Sequence, residues 1–444
     1  MKKNMKYILL FFVYLLSITY FYISFRMDTY AHYGFSYGIV NGQIPYKEIN
    51  FIVPAFSPFF YSIFLLFNKS ILSFYIGQSI LLVIFSYLLF QIMGKKAWII
   101  IAALFCPYIF GFAYCLFPGY NFLVLFELVL LLYLHDKNKS DKVIGLLAGI
   151  VFLTKHNIGI FILIITILYP FFKNYKKSIT RLLFSMIPIV IFFIYLLLNN
   201  NLYDFIDLCF LNVSEFSNNF VFQILYFVLL VIFLLLVLVQ YIVNKNKNIS
   251  YYYLLCYLPI AYPLVEMYHV SLFLYFALIV LIYNIDFKVT KYISIISFMI
   301  IFIFISSYYY FSKAYFKNVK IYSYHNFPIT LATAKEKKDY DEIIKFVKNK
   351  NAIYISDASF VAFLTSTTES NINKYLVLYR GNYGHNGEKR LIEDIKKEKN
   401  VYFVVANYLK CDEECQFIEK VPELIKKNYK IVKKLNYYTI YYKK

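Results

Sequence analysis

The chain has 444 residues with 45 Lys and Arg against 25 Asp and Glu, and 61% of its residues are hydrophobic while only 16% are charged. Soluble globular proteins average about 45–50% apolar and about 25% charged residues, so this composition excludes an ordinary soluble domain. The 48 Tyr and 48 Phe exclude a disordered chain, since disordered chains are poor in aromatic residues. The class that remains is a polytopic α-helical membrane protein.

Apolar runs recur along residues 1–312. A helix needs about 20 mainly apolar residues to cross the hydrocarbon core of a bilayer. Several runs are shorter and lie beside Pro118-Gly119, Thr154-Lys155 or Met267-Tyr268-His269, where re-entrant or tightly turned segments are expected. The sequence predicts about 11 transmembrane helices, at residues 7–25, 70–93, 97–117, 121–134, 143–154, 158–172, 182–198, 220–243, 250–265, 270–283 and 292–311.

The net charge of +20 raises the question of nucleic-acid binding, which the distribution of basic residues answers. Taken alternately, one set of inter-span segments holds 16 Lys and Arg, and the other set holds only Arg26, Lys47, Lys69 and Lys155 before the C-terminal segment. This asymmetry follows the positive-inside rule and predicts a cytoplasmic N-terminus. An odd number of spans then places the C-terminal segment outside. No nucleic-acid partner is needed to explain the charge.

This topology requires that one apolar stretch does not cross the membrane. Residues 54–67 (PAFSPFFYSIFLLF) are too few to span, and their first five residues include two prolines. We expect them to form an interfacial amphipathic helix on the outer surface. Residues 26–69 then form a long external loop that lies against the membrane.

Residues 313–444 are much more charged and alternate between helical and strand patterns. Helices are predicted at 336–350, 388–399 and 414–427, and strands at 352–357, 375–379 and 401–407, with a closing hairpin or strand pair at 429–442. Helices that alternate with short apolar strands predict a small external α/β domain.

Polar residues follow the first apolar run directly. Arg26 and Asp28 come at its outer end, where a carboxylate can act as a general base or a metal ligand, or can simply cap a helix beside a snorkelling arginine. Further on come Tyr30-Ala31-His32-Tyr33, then Asn41-Gly42-Gln43-Ile44-Pro45-Tyr46-Lys47-Glu48, then Pro54 and Pro58. This order resembles the first external loop of the polyprenyl-phosphate-dependent glycosyltransferases of the GT-C superfold. Protein O-mannosyltransferases, aminoarabinose transferases and oligosaccharyltransferases belong to that superfold.

Two later elements are also similar to that superfold. The segment from Gly149 to Gly159 is similar to its G-x-x-x-x-T-K-x-x-x-G turn, in which Lys155 would meet a lipid-linked phosphate or would snorkel at a helix end. The segment from Tyr262 to His269 is similar to a P-x-x-D-x-x-H element, with Glu266 in place of Asp. On a helix Glu266 and His269 would share a face and could hydrogen-bond, whether to hold a sugar, a phosphate or a metal, or as a buried pair.

The resemblance implies an inverting glycosyltransferase that takes a sugar from a polyprenyl-phosphate donor and delivers it to a glycan, lipid or protein acceptor on the outer face of the cell membrane. It implies Asp28 as the base, Lys155 and Arg26 at the donor phosphate, and a set of substrate-binding residues comprising His32, Tyr46, Glu48, Glu266 and His269. No nucleotide is required. Glu48 stands where the superfold usually has Asp, which leaves the use of a divalent metal open.

Four other features are weaker candidates. The acidic external loop 199–219 offers Asp204, Asp207 and Glu215 as ligands for a metal or acceptor, or as solvated side chains. Glu127 lies in an apolar run, where it is functional or paired with a Tyr or Ser hydroxyl. The turn at 381–387 is an anion-binding loop or an ordinary Gly/Asn turn, and Cys411 and Cys415 are a candidate disulfide.

Two other functions fit a polytopic chain. A flippase or transporter for lipid-linked glycans is expected to show internal repeats and little soluble mass, whereas this sequence shows no repeat and a sizeable C-terminal segment. A polysaccharide polymerase or ligase is expected to carry its large external loop centrally. The resemblance of the site favours the glycosyltransferase.

Overall fold

A computed structural model describes residues 28–103, 119–212, 221–244, 248–285, 319–356, 358–368, 382–385, 387–407 and 420–444. Helices make up most of these segments. Four of the described helical stretches are long and apolar enough to cross a bilayer, namely Ile71–Ala103, Tyr175–Leu198, Ile224–Val243 and Met267–Asn284. These four helices are compatible with the membrane protein that the composition predicts.

Helices occur throughout the described chain, including the C-terminal segment, whose first strand begins at Val319. In chain order they are α1 Asp28–Val40, α2 Phe56–Leu65, α3 Ile71–Met93, α4 Ala97–Ala103, α5 Tyr120–Asp136, α6 Asp141–Thr154, α7 His156–Leu168, α8 Tyr175–Leu198, α9 Leu202–Ile206, α10 Ile224–Val243, α11 Ile249–Tyr257, α12 Met267–Asn284, α13 Ala334–Val347, α14 Ala358–Thr367, α15 Gly387–Lys397 and α16 Lys420–Asn428.

Strands are short and occur mainly in the C-terminal segment. They are β1 Val221–Phe222, β2 Leu264–Val265, β3 Val319–Tyr324, β4 Phe327–Thr333, β5 Ala352–Ile355, β6 Val401–Ala406, β7 Lys430–Lys434 and β8 Tyr438–Lys443. The last four form a sheet in the order β5-β6-β8-β7, in which only the β5–β6 pair is parallel. Strands β3 and β4 form an antiparallel hairpin, and β1 pairs with β2 in parallel.

Some of the predicted transmembrane runs correspond to single helices of the structure and others do not. The runs 7–25 and 292–311 lie outside the described residues, as does most of the run 97–117 beyond Ala103. The runs 143–154 and 158–172 correspond to α6 and α7, which have 14 and 13 residues. The run 250–265 is not one helix, because α11 ends at Tyr257 and a 3₁₀ turn and strand β2 follow. Pro259 and Pro263 lack the amide hydrogen that a continuing helix would need.

The described chain divides into two compact units. One, here called the helical unit, comprises the described residues that lie within Gly77–Tyr195 and Phe220–Phe311. The other, here called the mixed unit, is built from Tyr22–Ile76, Leu196–Asn219 and Ser312–Lys444. The described part of the predicted external loop, residues 28–69, thus belongs to the same compact unit as the described part of the C-terminal segment.

The mixed unit has an aromatic core and a separate sheet core. Tyr33 of α1 packs edge-on against Phe74 and Phe327, and Phe327 packs edge-on against Phe363 of α14. Helix α2 also packs on α1 and buries Tyr61 and Leu65, so the predicted helix within 54–67 is present. The sheet buries a cluster of apolar side chains from β5, β6, β8, α15 and α16, comprising Ile353, Ile355, Leu391, Ile395, Val401, Phe403, Val405, Val421, Ile425 and Tyr441.

Glycines set the packing of the helical unit. A Cβ at Gly149 of α6 would lie 2.3 Å from the Ser185 carbonyl oxygen and 2.8 Å from Pro188 Cγ, both on α8. Gly145, one turn earlier, meets the Arg181 carbonyl oxygen at 2.4 Å in the same way. Two glycines four residues apart let two backbones approach more closely than any side chain would permit. Gly149 of the resembling motif therefore has a packing role.

We expect Gly149→Ala to destabilise the protein, although alanine normally favours a helix interior over glycine. The added methyl group must displace the α8 backbone, and such overpacking costs about 1–3 kcal/mol. The measurement is the thermal midpoint of the purified protein in detergent. Val143→Ala is the matched control, because Val143 is an exposed residue of the same helix and should change stability by less than about 0.5 kcal/mol. Equal midpoints for the two variants would contradict the packing assignment.

Candidate functional site

Lys155 lies at a sharp break between α6 and α7. Its backbone is extended, with φ −154° and ψ 96°, between the last residue of α6 and the first of α7. The two helices fold back on each other, because Arg181 bridges Asp141 at the start of α6 (2.8 Å) and the carbonyl of Thr166 near the end of α7 (3.0 Å). Lys155 therefore occupies the tip of a helical hairpin.

The Lys155 ammonium is buried, with 7% of the residue exposed. It donates a hydrogen bond to Asn121 Oδ1 at 2.7 Å and lies 5.0 Å from the centre of the Tyr120 ring. In the described part of the chain no carboxylate oxygen lies within 4.0 Å of it. A buried cation held only by neutral groups carries an uncompensated desolvation cost, which an anionic ligand would offset.

A chain of polar contacts connects Asn121 to the start of α12. Asn121 Nδ2 donates to the Tyr268 hydroxyl at 2.9 Å, and His269 Nδ1 lies 2.8 Å from Glu266 Oε1. The predicted Glu266–His269 contact is thereby confirmed. Glu266 is however not a residue of the helix but its N-cap, and its carboxylate also accepts from the Tyr268 amide. The His269 ring also meets the Tyr268 ring edge-on at 4.7 Å, and Tyr268 is connected to Lys155 through Asn121.

Three helices of at least 13 residues begin at this cluster. Asn121 lies in the first turn of α5, Lys155 is the N-cap of α7, and Tyr268 lies in the first turn of α12. The N-cap residues of α5 and α7, Gly119 and Lys155, make no side-chain cap hydrogen bond to the first turns of their helices. The partial positive charges of helix N-termini add to that of Lys155 and favour an anion.

These six residues are here called the Lys155 cluster: Tyr120, Asn121, Lys155, Glu266, Tyr268 and His269. The sequence pointed to three of them, and missed Tyr120, Asn121 and Tyr268. Their position in the sequence could have identified them, because each is a polar or aromatic residue in the first turn of an apolar helix. Polar residues at that point are commonly ascribed to capping alone.

The remaining predicted site residues belong to the mixed unit. Arg26 lies outside the described residues, and of Asp28 only the backbone, at the first residue of α1, is described. His32 lies one turn further along α1, edge-on to Phe35 at 6.2 Å. Desolvation lowers the pKa of His32 to about 4, so at neutral pH the ring is uncharged and can only donate or accept a hydrogen bond.

Tyr46 and Glu48 have contacts that shape the loop after α1. Tyr46 is fully buried at φ 70°, its hydroxyl donates to the Val53 carbonyl at 3.1 Å, and its ring meets Phe205 edge-on. The Glu48 carboxylate accepts from the Ile44 amide at 2.6 Å and closes the turn. Both side chains therefore stabilise the conformation of this loop.

The acidic loop and the Gly/Asn turn meet each other in the mixed unit. Asp207, which is 3% exposed, accepts from the His385 amide (3.1 Å) and from Arg390 Nη1 (3.1 Å). Arg390 Nη2 also donates to Asp204 at 2.8 Å. One amide of the predicted 381–387 turn, that of His385, therefore contacts an anionic group, and that group is the Asp207 side chain of the same protein. This partly buried ion-pair arrangement accounts for Asp204 and Asp207, two of the three carboxylates of the loop.

The other weak candidates were Glu127, Glu215 and the two cysteines Cys411 and Cys415. Thr154 Oγ1 donates to Glu127 Oε1 at 2.7 Å, so Glu127 has a hydroxyl partner, but the partner is a threonine and not the predicted Tyr or Ser. Glu215, Cys411 and Cys415 lie outside the described residues, and Cys209 and Cys256 are free thiols. Within the described ranges, no three His, Cys, Asp or Glu side chains are grouped as a metal site would require.

No protein-family model, curated protein or solved structure matches this chain.

Gly384→Ala should destabilise the mixed unit, because a Cβ at this position would lie 1.9 Å from Asp207 Oδ2 and the backbone has φ +81°. Displacing the carboxylate leaves a buried charge unpaired, which costs about 3–5 kcal/mol. Gly387→Ala is the matched control, since its φ is also positive (+44°) but no atom lies within 4 Å of the added methyl group. The comparison is of thermal midpoints in detergent. A loss for Gly387→Ala as large as for Gly384→Ala would show that backbone strain alone, and not Asp207, sets the cost.

Proposed function

We propose that the protein is a membrane glycosyltransferase of the GT-C type that uses a polyprenyl-phosphate-linked sugar. The observation that carries the proposal is the buried Lys155 ammonium, which is held by neutral groups at a point where three helices begin. A phosphate suits such a place, because it accepts several charge-assisted hydrogen bonds and compensates the buried charge. The apolar helices around it suit a lipid tail.

The proposed reaction is an inverting displacement. The acceptor hydroxyl or amine attacks the anomeric carbon, the carbon–oxygen bond to the lipid phosphate breaks, and the phosphate leaves with the bonding electrons. Asp28 accepts the proton of the acceptor, and Lys155 stabilises the negative charge that develops on the leaving phosphate. Arg26 is a second candidate at the phosphate, and His32 in its neutral form can hydrogen-bond a sugar hydroxyl. No nucleotide takes part.

The proposal includes a topology. About 11 spans, a cytoplasmic N-terminus and an external α/β domain at residues 313–444 are supported by the alternation of basic residues and by the sheet of strands β5 to β8 with helices α13 to α16. Helix α2 fits an interfacial position, because it buries Tyr61 and Leu65 while Ile63 on the helix and Leu66 and Phe67 directly after it are exposed.

Impermeant thiol reagents test this topology in intact cells. Single cysteines replacing the exposed residues Lys47 and Lys348 should be labelled, and single cysteines replacing the exposed residues Lys139 and Lys176 should be protected until the membrane is permeabilised. The background chain lacks its six native cysteines. Labelling of Lys139 together with protection of Lys348 would reverse the proposed sidedness, because residues 54–67 would then have to cross the membrane.

Variants of Lys155 and Asp28 test the reaction, because the first should impair binding of the lipid phosphate and the second should impair sugar transfer. Lys155→Met should weaken binding of farnesyl phosphate to the purified protein by about 10- to 100-fold, since a charge-assisted contact is lost. Asp28→Asn should leave that binding near normal but reduce sugar transfer in cells more than tenfold, because general-base catalysis contributes roughly 10²–10⁴. Transfer is measured by mass spectrometry of envelope glycans and lipid-linked sugars.

Lys139→Met is the matched control, as it removes the same charge from an exposed loop. Equal farnesyl phosphate affinity in Lys155→Met and Lys139→Met would refute the phosphate site. Assembled glycan retained on the inner leaflet, in place of an accumulating polyprenyl-phosphate sugar, would refute the transferase in favour of a flippase.

A further inference from the structure

Glu127 is a costly residue at its position. It lies in the middle of the apolar helix α5, is 3% exposed, and has buried Leu128 and Val124 beside it on the helix. Its Oε1 accepts from Thr154, and among the described residues Oε2 has no partner. A half-satisfied buried carboxyl costs free energy that a leucine would not, so stability does not explain it.

The single contact of Glu127 falls next to Lys155. Thr154 is the last residue of α6, and its hydroxyl lies 2.7 Å from Glu127 Oε1 and 3.0 Å from the carbonyl of Ile150 one turn back. A threonine hydroxyl bonded to its own helix competes with the backbone and favours a bend. The additional carboxyl acceptor fixes the end of α6 to α5, at the residue after which the chain becomes extended.

Helix α5 therefore makes two hydrogen bonds to the tip of the α6–α7 hairpin. Asn121 accepts from the Lys155 ammonium at 2.7 Å, and Glu127 accepts from the neighbouring Thr154 at 2.7 Å. One contact orients the end of the lysine side chain, and the other fixes the backbone from which that side chain starts. An ammonium on a four-carbon stem has many rotamers, and fixing its base and its tip removes most of them.

From these contacts we infer that Glu127 is a positioning residue for Lys155, acting through Thr154 on the ammonium that binds the prenyl phosphate. The inference rests on the proposed function for its ligand. The property used is the hydrogen-bond acceptor of the side chain and not its charge. Glutamine should therefore replace it, and an apolar residue of similar size should not.

The test measures the dissociation constant of farnesyl phosphate with the full-length protein in detergent. Glu127→Leu should weaken binding roughly three- to tenfold, as expected for one lost hydrogen bond, and Glu127→Gln should stay within about twofold of the parent. Thr154→Val should weaken binding as Glu127→Leu does, and Thr154→Ser should not. The threonine pair keeps the test available if Glu127→Leu does not fold.

A double-mutant cycle with Lys155→Met separates positioning from general destabilisation. In the Lys155→Met background, Glu127→Leu should have no further effect on binding, because the residue it positions is gone. Equal losses in both backgrounds, or a loss in Glu127→Gln as large as in Glu127→Leu, would overturn the inference. Unchanged binding in Lys155→Met would instead overturn the proposed phosphate site, so the two failures are distinguishable.

Discussion

A buried ammonium with only neutral partners is the constraint around which the helical unit is organised. Lys155 lies at the break between two packed helices, because α6 ends one residue before it and α7 begins one residue after it, and its side chain is buried there against Asn121 and Tyr120. Gly145 and Gly149 let α6 approach α8 closely, and Arg181 of α8 ties the open end of the hairpin. The hairpin is thus fixed at its open end by an ion pair and at its tip by Asn121.

The fold could be predicted where one physical signal dominates. Strict apolar runs located α3, α5, α8, α10 and α12, and charge alternating with short apolar stretches located α13, β6 and the β7–β8 hairpin. The signal failed where two tendencies compete. The run 250–265 is apolar enough for a span, but its two prolines interrupt the helix. The α14 helix, with sequence ASFVAFLTST, has no helix period and forms because it packs on α1.

The candidate site was predictable only in part, for a different reason. Lys155, Glu266 and His269 stand out because charged or titratable groups are rare in apolar sequence. Asn121 and Tyr268 do not stand out, since their contact joins residues 147 positions apart and only the packed helices bring them together. Likewise, two weak candidates, Asp207 and the 381–387 turn, proved to be partners of each other, which no local pattern could reveal.

The pairing of Asp207 with Arg390 has a consequence for how the chain is made. The two residues are 183 positions apart, so at 5–20 residues per second the carboxylate leaves the ribosome roughly 10–40 s before the guanidinium that will hold it. During that interval the loop carrying Asp207 must stay hydrated, and the aromatic face of α1 must wait for β4 and α14. The mixed unit therefore cannot be completed until the last of its three distant segments has been synthesised.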